Sequence, residues 1–307
     1  MVKKNAFVKE VRTKWPLFIM MLPVIVFLLI FNYLPMVGTL LAFMDYTPRR
    51  GFFGSDWVGL RNFQFLFRSG DALIIARNTI LYNVGFIVLG TIFALFLAIA
   101  INELRGRLVP RVHQTIILLP YFLSWTVVSY FVYTFLSYDM GVLNSILNAF
   151  GRDSIIWYNE RRYWPFILTF LGVWKGVGYS SVFYLSSIMS IDTEYYEASL
   201  VDGANKWQQI WNITLPHLMP IVTILFLLSV GSIFNSDFGL FFVIPRQNGL
   251  LLPVTQTIDV YVYNALIRAG NIGMSAAAGF FQSVVGFICV MTANTVIKIK
   301  MPDYALF

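Results

Sequence analysis

Six long apolar runs, separated by more polar connections, constrain this chain more than anything else in it. A helix needs about 20 mostly apolar residues to cross the hydrocarbon core of a bilayer. Segments 17–43, 80–101, 116–136, 163–189, 218–240 and 276–297 meet that requirement. Lipid offers no hydrogen bonds to an open backbone, so runs of this length cross as helices. The expected fold class is therefore an all-α membrane protein with six transmembrane helices. Composition agrees: 58% of residues are hydrophobic and 12% charged, where a soluble domain carries about 25% charged residues.

The net charge of +7 does not indicate nucleic acid, because the basic residues flank apolar runs instead of clustering on a water-soluble face. Their natural partner is the anionic lipid of the cytoplasmic leaflet. The single cysteine, Cys289, lies inside an apolar run; it excludes an internal disulfide and a thiolate metal cluster, and reads as a packing residue. The first span follows Lys3, Lys4, Lys9, Arg12 and Lys14. A signal peptide would resemble it, but the apolar run is too long and no small-residue cleavage site follows.

Basic residues near span ends favour the cytoplasmic side. That places the amino-terminal tail (1–16), the link with Arg105, Arg107 and Arg111, and the tail 298–307 with Lys298 and Lys300 inside. Both termini are then cytoplasmic, the span 17–43 is followed by an extracellular loop 44–79, and a five-helix core covers 80–297. Every lysine except Lys175 lies in a cytoplasmic segment, although Arg49, Arg50, Arg161 and Arg162 fall outside.

The core contains one longer cytoplasmic loop, 190–217. Asp192 is placed as an N-cap, with Glu194 in the first turn, and Gly203 is placed to end that helix in a left-handed conformation. A second short helix is expected from Asn205, with Trp207, Ile210, Trp211 and Thr214 on one face. Pro216 and Pro220 then mark the start of the fifth span. A short apolar helical face with no soluble core of its own needs a groove in a partner. The alternative is an interfacial helix pair on lipid headgroups, which Glu194, Glu197 and Asp202 make a poor fit to an anionic surface.

The run Glu197-Ala198-Ser199, Asp202-Gly203-Ala204, Ile213, Leu215-Pro216 and Pro220 resembles the EAA loop of binding-protein-dependent ABC importer permeases. Ser199 stands for the second alanine of that pattern and Ile210 for a common phenylalanine. Further elements resemble the carbohydrate permeases of the MalF and LplB type: Trp57-Val58-Gly59-Leu60-Arg61-Asn62-Phe63, Asn78-Thr79, Trp174-Lys175-Gly176, and Ala277-Ala278-Gly279-Phe280-Phe281-Gln282-Ser283 through to Asn294.

The resemblance implies a type I importer permease (MetI-like) architecture and a cell-membrane location, with a Gram-positive source. It gives Glu197, Ala198, Ser199, Asp202, Gly203 and Ala204 the role of coupling to an ATPase. Its implied partners are a second, different permease, two ATP-binding subunits and an extracellular solute-binding protein. ATP and Mg would sit on the partner ATPase; the chain has no G-x-x-x-x-G-K-[ST] loop and is expected to bind no cofactor and to be no enzyme. The expected cargo is sugar, as oligosaccharide or polysaccharide fragments.

Polar residues within spans are candidates for the path: Lys175, Asn235, Asp237, Trp125, Tyr121, Asn83 and Gln282. Lys175 also has a structural reading, as a snorkelling residue or one held on carbonyls by helices packed close at Gly172, Gly176 and Gly178. Asn83 and Gln282 have one as helix-to-helix hydrogen bonders. His113 and His217 lack neighbours at metal-ligand spacing, and no acid and base pair is visible, so no metal or catalytic residue is assigned. An ion-coupled carrier would carry ionisable residues in several spans; an ABC permease for a non-sugar solute remains the nearer alternative.

Overall fold

The computed structural model describes residues 13–64, 72–104, 106, 108–302 and 305. Lys3, Lys4, Lys9, Arg12, Arg105 and Arg107, which enter the orientation argument, lie outside these residues. Among the described residues five helices are long and apolar enough to span a membrane, and a sharply bent pair passes the same test together, which makes six if that pair is one broken span. The chain divides into two compact units, 1–67 with 265–281 and 68–264 with 282–307.

In the first unit, α1 (Trp15–Phe43) starts as an α-helix, widens to a π turn at Leu29–Tyr33 and tightens to a 3-10 helix over Val37–Phe43. It runs into β1 (Met44–Asp45), which pairs antiparallel with β2 (Asp56–Trp57). The Trp57 to Phe63 element folds back on the end of α1. Trp57 stacks on Phe43 at 5.5 Å, and Asn62 Nδ2 donates to the carbonyls of Ala42 and Met44 at 3.0 and 2.8 Å. Phe43, Phe63 and Phe280 pack around buried Ala42 and Ala277.

The second unit holds α2 (Ala72–Asn102), α3 (Leu108–Phe122), α4 (Trp125–Leu136), α5 (Val142–Ala149), α6 (Trp164–Ile188) and α7 (Thr193–Val201). These are followed by α8 (Lys206–Gly231), α9 (Ile258–Ala269) and α10 (Ile272–Lys300); α9 and α10 each give part of their length to both units. Helix α6 is the central element and packs along α2, α3 and α8. Its close approach to α3 depends on Gly178, where a Cβ would overlap the Ile117 carbonyl; small residues are how helices in lipid come near enough to pack.

Three spans differ from the sequence expectation, and the first difference is one of length: α2 already begins at Ala72, inside the segment 44–79 expected as a loop. The segment 116–136 is not one helix: α3 and α4 meet at a bend of 94°. Pro120 lies inside the last turn of α3, and Ser124 turns extended (φ −69°, ψ 149°) and caps α4 by accepting from the Val127 N–H. A proline without an N–H, followed by an N-cap residue, stops one helix and starts another, although apolar composition continues unbroken. The segment 218–240 is likewise displaced, since α8 begins at Lys206 and ends at Gly231.

The second short helix expected after Gly203 is therefore the first turn of the fifth span itself. A π turn at Ile210–Thr214 precedes Pro216 and lets the helix run on through Pro216 and Pro220. It also shifts the helical phase. Trp207 and Trp211 stay exposed, Ile210 is half-buried, and the buried pair is Gln209 and Thr214, five residues apart.

Candidate functional site

The 190–217 loop is a short helix tied firmly to a span. Asp192 caps α7 through its Oδ1, which accepts from the Glu194 N–H at 3.1 Å. Gly203 ends α7 at φ +78°, with the N–H groups of Gly203 and Ala204 donating to the carbonyls of Leu200 and Ser199 at 3.1 and 2.9 Å. A left-handed residue after the last helical turn satisfies carbonyls that would otherwise be orphaned. Asn205 and Gln208 then form a reciprocal capping box that opens α8.

Side chains lock the two helices across that glycine. Gln209 Nε2 donates to Ser199 Oγ at 2.9 Å, and the hydroxyls of Tyr196 and Thr214 lie 3.0 Å apart. Lys206 forms an ion pair at 3.0 Å with Glu103 at the end of α2. Among the proposed coupling residues, Glu197, Ala198, Asp202 and Gly203 are exposed, while Ser199 and Ala204 are half-buried. Tyr195, Leu200, Val201, Trp207 and Trp211 add a large exposed apolar surface beside them.

Of the polar residues expected to lie along the path, Asn83, Gln282 and Trp125 bond to one segment, 232–238, which holds Asn235 and Asp237 and where the chain leaves α8 through i→i−3 turns. Asn83 Nδ2 donates to the carbonyls of Thr79, Ile233 and Asn235 at 2.9, 3.0 and 2.8 Å. Gln282 Nε2 donates to the Phe234 carbonyl at 2.7 Å and to Asp259 Oδ1 at 3.2 Å. Irregular backbone at membrane depth requires partners of this kind. Asp237 turns the chain again: its Oδ1 accepts from the N–H groups of Gly239 and Leu240, and its Oδ2 accepts from Trp125 Nε1 at 2.7 Å.

Lys175 sits at the α3–α4 bend. Its Nζ donates to the Tyr121 carbonyl at 2.7 Å and lies 5.5 and 5.3 Å from the ring centres of Tyr121 and Trp125. Tyr121 in turn stacks on Tyr179 at 4.5 Å and 9°. Beside this cluster a cavity of about 390 Å³ lies between α2, α6 and α8, lined by Asn83, Phe86, Tyr179, Ser180, Ser229 and Ser232 among others.

Sequence reasoning missed two parts of this site. Asp259 Oδ2 accepts from Ser236 Oγ at 2.8 Å, and the hydroxyls of Ser236 and Thr257 lie 2.7 Å apart. The signal for these was a helix start at Thr257-Ile258-Asp259 outside the long apolar runs. Tyr179, Ser180 and Ser229 read as ordinary small or aromatic positions of a span, and only the packing of three helices shows that they share a cavity.

Residues 87–300 match the family described as the binding-protein-dependent transport system inner membrane component. The chain is 34% identical over 296 residues to Protein LplB of Bacillus subtilis (strain 168), covering 96% of this chain and 92% of that one. It is 33% identical over 297 residues to the polygalacturonan/rhamnogalacturonan transport system permease protein YteP of the same organism, covering 96% and 91%. A crystal structure of a bacterial ABC transporter involved in the import of the acidic polysaccharide alginate contains a chain of the same fold, with TM-score 0.86 and 31% identity over 96% of this chain and 99% of that one. With an exposed short helix locked to a span, broken helices held by polar side chains, and these matches along nearly its whole length, the chain belongs to the family of binding-protein-dependent ABC importer permeases.

Proposed function

We propose that this chain is a translocation subunit that imports sugar, as oligosaccharide or polysaccharide fragments, at the expense of ATP hydrolysed by a separate subunit. An extracellular solute-binding protein delivers the sugar, and a second, different permease completes the path. Both termini and the 190–217 loop face the cytoplasm. The names of the relatives support the cargo class, since YteP and the alginate transporter are both described by the polysaccharides they carry.

The observation that carries the coupling role is the joint at Gly203. The exposed residues Glu197, Ala198 and Asp202 enter the cleft of the ATPase, and the Ser199–Gln209 and Tyr196–Thr214 bonds pass the motion to α8 as a rigid lever. Along the path, exposed Tyr121, Asn235 and Asp237 contact the sugar, while Lys175, Trp125, Asn83 and Gln282 hold the irregular backbone that shapes it.

The joint is tested by Gly203→Val, a β-branched residue that does not tolerate left-handed backbone. No atom within 4 Å would meet an added Cβ, so the effect is conformational: φ +78° costs a non-glycine residue about 1–2 kcal/mol. The variant chain is expected to insert at the wild-type level and to lose ATP-driven uptake in proteoliposomes. Uptake at the wild-type rate would sink the coupling role.

A further inference from the structure

A second cavity of about 520 Å³ opens at the end of α4, among residues the importer reading has not used. Its lining includes Tyr133, Tyr138, Trp157, Tyr158, Arg246 and Asn248. Arg246 is the feature that marks it. The residue is exposed, and both it and Gln247 adopt left-handed backbone at φ 56° and 52°. Two adjacent non-glycine residues in that region are strained, and strain of this kind persists where the surroundings impose it.

The guanidinium carbon lies 4.2 Å from the ring centre of Tyr133. Arg246 forms no ion pair among the described residues, and no carboxylate lines the cavity. Glu160, on the neighbouring loop, is 3.5 Å from Arg162 instead. The rest of the pocket is fixed in advance. Trp157 Nε1 donates to Asn144 Oδ1 at 2.9 Å, and Asn144 is buried. Asn248 Nδ2 donates to the Tyr158 carbonyl at 2.8 Å. The Tyr158 hydroxyl is buried without a hydrogen-bond partner among the described residues. Burial pushes its pKa up to about 12, against the opposing pull of Arg246, so at neutral pH the phenol is uncharged and does not repel an anion.

From these residues we infer that the cavity is a glycan subsite selective for a sugar bearing a carboxylate, a uronic acid residue, separate from the cluster at 232–238. Aromatic faces accept the C–H faces of a pyranose ring, and a guanidinium fork matches a carboxylate with two parallel hydrogen bonds. The size falls within the range of about 300–1,000 Å³ usual for small-molecule sites. A docking protein would need a broad surface of about 800 Å² instead of a concavity. The inference rests on the proposed function for the sugar class.

The test uses the assembled transporter in nanodiscs, with trigalacturonate and its carboxyl-reduced counterpart as probes in saturation-transfer NMR and equilibrium dialysis. The wild type is expected to bind the acidic probe about tenfold or more tightly than the reduced one, as loss of a hydrogen-bonded charge pair implies. Arg246→Asn should abolish that preference, and asparagine tolerates left-handed backbone, so the turn is kept. Tyr133→Leu should weaken both probes together. Equal binding of the two probes by the wild type, or an acidic preference that survives Arg246→Asn, overturns the subsite. So does a variant that binds both probes normally but captures the solute-binding protein less well, which would make the surface a protein-docking face. ATP-driven uptake of either probe by the wild type reports on the importer reading separately, and can succeed while the subsite fails.

Discussion

Asn83 shows how one side chain can decide the shape of a membrane protein. Three carbonyls lie within 3.0 Å of its Nδ2, so the amide orientation is forced: the oxygen could not face them. Two of those carbonyls, on Ile233 and Asn235, belong to backbone that has left the helix. An unmet buried polar group costs about 1–3 kcal/mol. Asn83→Leu should therefore lower the stability of the purified chain by about 1–3 kcal/mol, seen as a lower midpoint of thermal denaturation in detergent. Asn83→Asp keeps the shape but turns a donor into an acceptor that faces three other acceptors, and should be worse than leucine. If aspartate proves as stable as wild type, the side chain is not the donor that holds the segment. The residue was marked by sequence reasoning as polar within a span, but its partners were not, because Asn235 lies 152 positions away.

Among elements, those whose ends are set by nearby residues were legible and those set by distant ones were not. Asp192, Gly203 and Asn205 announce the limits of α7 and the start of α8 by their own chemistry, and each does so in the structure. The α3–α4 bend is different, since hydropathy runs across Pro120 and Ser124 without a break and a count of apolar residues sees one span. What secures the corner comes from α6, where Lys175 donates to the Tyr121 carbonyl near the end of α3. A hydrogen bond to a charged group contributes about 1.5–3 kcal/mol, enough to offset much of the cost of a lysine at this depth, which is about 2.5–3.5 kcal/mol on insertion scales. Lys175→Met keeps the apolar stem and removes the donor. It is expected to lower the denaturation midpoint and to reduce the uptake of neutral and acidic sugars by the same factor. A loss confined to acidic sugars would instead make Lys175 a cation that reads the cargo.

At the scale of the whole molecule, the spans leave most of their apolar surface uncovered. In none of the five long helices among the described residues is more than 22% of the apolar window buried within the chain, and in α1 none of it is. Lipid can cover such a surface but is a poor wall for the path of a polar glycan, and in the assembly we propose the second permease closes that path. In the assembly we propose, each permease offers one α7 and a pair of ATP-binding subunits receives two of them, one from each of two permeases. Whether those two are alike depends on the cargo. A polysaccharide has distinct reducing and non-reducing ends and no two-fold axis, whereas an isologous pair presents the same surface twice. A single strand crossing between identical permeases would meet duplicate sites with only one of them in register. In the proposed assembly, pairing with a different permease removes that conflict and would place the Arg246 cavity once per transporter. Native mass spectrometry of the purified assembly should accordingly find one copy of this chain, one of a different permease and two ATP-binding subunits. An assembly holding two copies of this chain and no other permease would rule out the asymmetric path, and with it the single-register binding of a glycan.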